Sequence, residues 1–517
     1  MASLPDLSAQ PIQGFFFGPT DSQLHQFLSE THQVVQFAPA ILDRLEADLQ
    51  AHALKKKILR AADRRFRAGQ TTDLPALKIE WRQLDPQPMR LETGRPRLEP
   101  YVVYLFLLLR GFVGGCKEQH ARLLLEESMT LHLWLAKRGL RLPPASTLSE
   151  NLNAVRNATR EFLHRQQLRF ILSEGLADFQ ALELDSTATA ANSAWPTDSG
   201  LIAKLVQRLC RAGSKLSRFG LPNLNPSGLA ELQGEVRALD REIGFCAGKP
   251  KRQGRLKKLY YQLLRRGRRA CKRFGREIDR IKAVAGRRRN LLPSQALWAE
   301  ELIGLLREDV ALVLKAVEAG ERRVLGEEQV PSEQKVISLN DPSAAFIVKG
   351  GWETVVGYRP QLGRSGQGFV PDWSGLVPRG NAADSGQLVN VVLEHWERST
   401  ILPRLVSSDD GYSSQVARAD LLAAGVAIVS ISGAKGKQIT PPEQWHSAEY
   451  RAARAHRSAV ESLVFTLKDG HGFGELSRRH LDNVRAELLE KVLASNVCQL
   501  LRVRARCRAA AEQALAA

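Results

Sequence analysis

The chain has 517 residues, 44% of them hydrophobic and 25% charged, enough apolar side chain to bury large cores and far from the composition of a disordered protein. Its 74 lysines and arginines against 55 acids leave a net charge of +19, which points to a polyanionic partner, nucleic acid first. The strongest apolar run, Tyr101 to Leu109, stops at Arg110 and falls short of the ~18 residues a membrane span requires, so no transmembrane segment is visible.

The opening residues Met-Ala-Ser-Leu-Pro-Asp have neither the basic start nor the apolar core of a secretory signal. Six cysteines (Cys116, Cys210, Cys246, Cys271, Cys498, Cys507) are scattered with no C-x-x-C pair. A reduced, cytoplasmic protein without a zinc site or disulfide framework is expected.

Asp43 to Arg67 has helical composition and turns basic from Lys55 onward, which suits a solvated helix face or a DNA contact equally. Thr93 to Pro100 opens an apolar helix that Gly114-Gly115 breaks. Glu118 to Arg138 then reads as a second helix, and Ser146-Thr-Leu-Ser-Glu150 as the N-cap of a third that runs to Arg165. Three short helices with a glycine break fit a helix-turn-helix with Ser146 to Asn157 entering a groove, and they fit a plain bundle as well.

Ala181 to Asp185 reads as a strand ending in an acid. Acids at the carboxyl ends of strands open onto the crevice where α/β folds bind ligands, although Asp185 alone is also a good turn or cap residue. From Leu201 to about Gly326 the pattern is continuous helix. Leu229, Leu232, Val236, Leu239 and Ile243 keep a 3-4-3-4 spacing, as in a short coiled coil between subunits or an internal hairpin. Lys249 to Arg289 carries eighteen lysines and arginines, including Arg265, Arg266, Arg268, Arg269, Lys272, Arg273, Arg287, Arg288 and Arg289, against Glu277 and Asp279 alone. A solvated face normally intersperses its signs, so this run favours phosphate binding.

Strand signals return at Gln334 to Pro342 and Glu353 to Leu362, with the glycine-rich turn at Arg364 to Val370. A helix over Gln387 to Trp396 follows. Pro403 to Ser408, a helix over Ser414 to Ala424 and a strand over Val426 to Ser432 make a β-α-β unit with a parallel pair, the first strand running into Asp409-Asp410. Lys435 and Lys437 follow the last strand and are placed to face phosphate, although their glycine spacing is not that of a P-loop. Near the C-terminus, Arg457, Glu461 and Lys468 fall within about 40° of one another on a predicted helix, beside an apolar stripe of Val460, Leu463, Val464 and Leu467. Taken alone, that charged stripe is also an ordinary surface ladder. Together, Asp185, Asp409 and Glu461 make an oxygen donor set suited to two Mg²⁺ or Mn²⁺ ions and to in-line displacement at phosphorus.

These pieces in this order resemble the DDE transposases of bacterial insertion sequences. The matching residues are Leu184-Asp185-Ser-Thr, Pro196-Thr-Asp-Ser-Gly-Leu201, Ser338-Leu-Asn-Asp-Pro342, Gly357-Tyr358 and Gly380-Asn-Ala-Ala-Asp384. They continue with Asp409-x-Gly-Tyr412, the Arg457, Glu461 and Lys468 signature, and Leu493-Ala-Ser-Asn496. The resemblance covers about residues 95–505. It implies an α/β fold: an RNase H-like mixed sheet with flanking helices in residues 171–200 and 330–517, a helical DNA-binding domain in 1–170 and a basic helical insertion in 201–329. It further implies that Asp185, Asp409 and Glu461 bind two Mg²⁺ or Mn²⁺ ions and that Arg457 and Lys468 grip DNA, with Arg454, Lys435, Lys437 and the basic run as further contacts.

The implied activity is binding of transposon-end inverted repeats in double-stranded DNA, metal-dependent cleavage of the 3′ phosphodiester and joining to target DNA. A homodimer or higher oligomer associated with the bacterial nucleoid would carry it out. Three features depart from the family pattern: Arg454 stands where relatives carry Tyr, Asp409-Asp410 offers two choices for the second acid, and the insertion is helical rather than β-rich. The alternatives are an inactive or domesticated DNA-binding protein and a metal-dependent nuclease without strand transfer.

Overall fold

Short runs in which Leu182, Leu184, Val406, Val429 and Ile431 are buried build the central sheet. The computed structural model describes residues 23–70, 98–114, 125–193, 197–217, 226–285, 291–331, 334–349, 353–376 and 383–516, with 74, 77 and 78. Arg287, Arg288, Arg289, Cys116, the Thr93 lead-in before Leu98, the start of the helix expected at Glu118 and Gly380 to Ala382 lie outside those residues. By its contacts the chain forms two compact units: Met1–Ala51, Asp85–Asn192 and Ile347–Ala517 make the first, His52–Leu84 and Ser193–Phe346 the second.

The strands are β1 (Ala181–Ser186), β2 (Thr189–Ala190), β3 (Ala345–Lys349), β4 (Glu353–Tyr358), β5 (Gln361–Ser365), β6 (Asp372–Ser374), β7 (Leu405–Ser408) and β8 (Ile428–Ile431). The first unit holds a mixed five-stranded sheet in the order β6-β5-β1-β7-β8. β1 pairs antiparallel with β5 and parallel with β7, and β7 pairs parallel with β8, as the β-α-β pattern predicts. On one face, Leu182, Leu184, Val406 and Val429 share a core with Leu388, Val391 and Val392 of helix Leu388–Ser399 and with Ala417 and Leu421 of helix Gln415–Ala423. Burying each of the larger side chains contributes roughly 1.5–3 kcal/mol.

Helix Leu481–Ala516 is the spine of this unit, and helices Gln23–Phe37, Pro100–Phe112 and Asn157–Ser173 pack along it. Their interface holds buried charges as well as apolar groups. Glu487 pairs with Lys491 at 3.0 Å and Arg110 at 3.3 Å, and it accepts the backbone N–H groups of Ser477 and Arg478. Glu490 takes Arg160 at 2.7 Å and Arg478 at 2.9 Å. Burial pushes the Glu487 carboxyl up, but Lys491, Arg110 and Arg478 together hold it down to about 2. Pairing of this kind is what keeps buried charges tolerable.

The second unit is a helical bundle of Asp198–Ser217, Pro226–Cys246, Gln253–Ala285 and Pro293–Gly320. The heptad residues Leu229, Leu232, Val236, Leu239 and Ile243 are all buried in its core, so the internal pairing of the two open alternatives is the one present. Gly267 lets two helices approach, since a Cβ there would stand 2.9 Å from Val317 Cγ2.

Several predicted elements need correction. The strand expected over Gln334 to Pro342 is a turn region in which Ser338 Oγ accepts the Asp341 N–H at 3.1 Å, and the strand starts only at Ala345. Ser-Leu-Asn-Asp-Pro-Ser offers the backbone local side-chain partners in place of a ladder. The helix expected from Ser146 to Arg165 is two, Ala145–Ala154 and Asn157–Ser173, because Arg156 donates its N–H to Asp48 at 2.8 Å. The helix expected from Arg457 to Lys468 is likewise interrupted. Ala448–His456 ends at Arg457, Ala459–Phe465 follows, and Thr466–Gly470 is a π-turn. Ser458 bonds back to the Ala455 carbonyl at 3.1 Å, a side-chain competitor for the helical ladder.

Candidate active site

Because β1 and β7 run parallel in register, with Ala181 opposite Leu405 and Glu183 opposite Ser407, their carboxyl ends open at the same edge. Asp185 is the penultimate residue of β1 and Asp409 directly follows β7. Side chains alternate along a strand, so with Leu182 and Leu184 in the apolar core, Glu183 and Asp185 project from the opposite side. Glu183 pairs there with Arg364 of β5 at 2.6 Å, and helix Ala459–Phe465 packs against β1 and β5. Asp185 Oδ1 accepts the Ser186 N–H at 2.7 Å.

Asp409 Oδ1 accepts the Gly411 N–H at 2.9 Å. Burial pushes the Asp409 carboxyl up and Asp185 pushes it further; the Gly411 N–H draws it down, Asp384 adds to the rise and Arg457 opposes it. Three aspartates thus share one field. Gly411 fills the space between two of them, since a Cβ on it would stand 3.0 Å from Asp409 Oδ1 and 3.2 Å from Asp384 Oδ2.

Asp384 opens the short 3-10 turn Asp384–Gly386 and is buried. Its carboxylate accepts from Ser186 Oγ at 3.2 Å and Gln361 Nε2 at 2.9 Å and pairs with Arg359. Gln361 in turn accepts the Tyr412 hydroxyl. Burial and the fields of Asp384, Asp185 and Asp409 raise that hydroxyl well above its usual range, so Tyr412 stays a neutral donor. Asp384, Arg359, Gln361 and Tyr412 had no role assigned from sequence; Asp384 and Tyr412 stand in the Gly380 to Asp384 and Asp409 to Tyr412 pieces, whereas Arg359 and Gln361 stand in neither.

Asp410 is turned elsewhere. Its carboxylate accepts the N–H groups of Gly436 at 2.8 Å and Lys435 at 3.3 Å and the Ser413 hydroxyl at 3.1 Å, anchoring the start of helix Ala434–Ile439. Gly433, at φ 99°, leaves room for it. Of the doublet, Asp409 is therefore the residue beside Asp185 and Asp384.

Glu461 lies on the helix that packs against β1, but its carboxylate is exposed and paired with Arg457 one turn earlier. Lys468 is exposed on the π-turn. Arg454 stacks over Trp445 at 4.0 Å and donates to its carbonyl at 3.2 Å, so its guanidinium is held by the protein's own aromatic surface. Lys435 and Lys437 are exposed on the helix that Asp410 anchors. In the second unit, Arg265, Arg269 and Lys272 are exposed, Arg273 is half-buried, Arg266 pairs with Glu235 at 2.7 Å and Arg268 pairs with Glu321.

Among the described residues, no group of three or more His, Cys, Asp and Glu side chains is placed to hold a metal ion. The structure thus gathers Asp185, Asp409 and Asp384, while the third expected acid, Glu461, is directed to Arg457. The donor chemistry still fits a hard cation in part: clustered carboxylate oxygens, one of them raised by its neighbours, are relieved by bound positive charge. No family model matches the chain, and neither a curated protein nor a solved structure is significantly similar to it. No helix among the described residues is long and apolar enough to cross a membrane.

Proposed function

We propose that the chain is a metal-dependent DNA transposase of the DDE type, with an RNase H-like catalytic unit. The fold reading is supported by the order β6-β5-β1-β7-β8, which is antiparallel on one side of β1 and parallel on the other. The function reading rests on one observation: Asp185 and Asp409, far apart in sequence, come to the ends of neighbouring parallel strands, where the Asp185 charge helps push the Asp409 carboxyl up. Asp185 and Asp409 would hold the divalent cation, with Glu461 joining them on leaving Arg457. Such a cation would polarise the phosphodiester and supply an activated hydroxyl nucleophile.

The protein's own groups do the positioning. Arg457, once released by Glu461, and Lys468 present cations to the DNA phosphates. Asp384, held by Arg359, Gln361 and Ser186, fixes the floor beneath Asp409. The test is incubation with Mg²⁺ and linear DNA carrying the ends that flank the gene. Asp185→Asn, Asp409→Asn and Glu461→Gln are each expected to abolish cleavage while band shifts persist. Cleavage surviving in all three variants sinks the assignment. The Arg457–Glu461 pair favours one rival, a chain that binds DNA without cutting it, and wild-type band shifts without metal-dependent nicking would select that rival.

A further inference from the structure

The basic helix Gln253–Ala285 has three faces of different character. Its apolar face, with Leu259, Leu263, Ala270, Phe274 and Ile281, is buried in the bundle core. At 100° per residue, the cations split around the remaining circumference. Arg255 and Arg266, on one flank, pair with Glu242 at 3.2 Å and Glu235 at 2.7 Å; Lys257 and Arg268, on the other, pair with Glu327 and Glu321. Between the flanks, opposite the apolar face, run Lys258, Arg265, Arg269, Lys272, Arg276 and Arg280 within an arc of about 80°. All six are exposed, and none has an ion-pair partner among the described residues. The acid at the margin of this arc, Asp279, faces Arg307 at 3.4 Å.

We propose that this row is a rail for the phosphate backbone of duplex DNA, built into the second unit and independent of the acid cluster. Lys258 to Arg280 spans about 33 Å, close to one turn of B-form duplex. Like charges left unpaired along one line cost self-repulsion, and a polyanion removes that cost. An anionic membrane fits less well, because the apolar face that would insert is already used in the core. A single strand fits less well too, since stacking needs aromatic platforms and, among the described residues of this helix, Tyr261, 59% exposed, is the one exposed aromatic. Contact with phosphates rather than base edges makes the rail indifferent to sequence.

The test uses the full-length protein in EDTA, with fluorescence anisotropy of a labelled 30-base-pair duplex of arbitrary sequence across a salt series. Replacing Arg265, Arg269, Lys272 and Arg276 together by Gln is expected to lower the slope of log K against log salt by about 3–4, near 0.9 for each phosphate left unneutralised. A paired-flank control, R255Q with R266Q, is expected to shift that slope by less than about 1. Thermal unfolding of both variants should match the parent, because every changed side chain is at least partly exposed. Equal slopes for the four-residue variant and the parent, or equal reductions for variant and control, overturn the rail. Tighter binding to oligo-dT of the same length than to duplex, or a stripe-dependent weakening seen only on phosphatidylserine vesicles, would overturn it in favour of those partners. Because the readout is binding without metal, loss of cleavage in the acid variants leaves this result untouched.

Discussion

Glu487→Gln tests whether a buried charge cluster holds the first unit together. The substitution keeps shape and hydrogen-bonding reach but removes the negative charge facing Lys491 and Arg110. The native carboxyl sits at about 2, against roughly 4.3 for an ordinary glutamate. At 1.36 kcal/mol per unit, the ionised form contributes on the order of 3 kcal/mol, in keeping with the roughly 3–5 kcal/mol lost when one partner leaves a buried pair. The folded pKa is depressed, so the contribution is complete above the unfolded value and fades as pH falls through the folded one. Urea unfolding of parent and variant, followed by circular dichroism, should therefore differ by about 3 kcal/mol at pH 7 and converge as pH approaches 2. Two curves separated by the same interval at both pH values would show that packing, and not charge, carries the effect. A separation below about 1 kcal/mol at neutral pH would refute the charge-based account outright.

Three further outcomes are expected. Gly411→Ala should place a methyl group between Asp409 and Asp384, reducing Mg²⁺-dependent nicking by about 10²-fold or more while thermal unfolding stays near the parent; a parental rate would show that the carboxylates do not act together. Asp384→Asn should destabilise the first unit by about 1–3 kcal/mol, since the Asp384 charge that Arg359 pairs with in a part-buried site is removed, and denaturant titration measures this. Gly267→Val should cost about 1–3 kcal/mol by crowding Val317 and Ile202, and hydrogen exchange should locate the loss in the bundle; an unchanged bundle would mean that the helices separate freely there.

The strand ends carrying Asp185 and Asp409 were legible one at a time, and the β-α-β alternation dictated the parallel pairing of β7 with β8; that β1 lies beside β7 was expected only from the resemblance, because no local pattern joins strands so far apart in sequence. The heptad stretch was legible as a packed seam but not as to its partner, since leucines at that spacing bury equally well within a chain or between chains. Asp384 carried no assigned role because its place comes from Arg359, Gln361 and Ser186, which no local pattern groups together. The break at Ser458 was hidden for the opposite reason: the apolar period runs straight through it, and only a side chain turned onto Ala455 interrupts the ladder. Likewise, the composition of the basic segment showed its total charge, whereas the separation into paired and unpaired faces depends on glutamates from other helices.

The helix Gln23–Phe37 lies along Leu481–Ala516, and β1 finds both of its neighbours only beyond the whole of the second unit. Assembly of the central sheet must therefore wait until β7 and β8 have left the ribosome, whereas the four bundle helices lie within one stretch, Asp198 to Gly320. A translation product halted ahead of residue 405 has every residue of the bundle but lacks β7 and Asp409. Such a truncated species has no pair of strand-end aspartates, so under the proposed reading the site exists only in chains synthesised past Asp409.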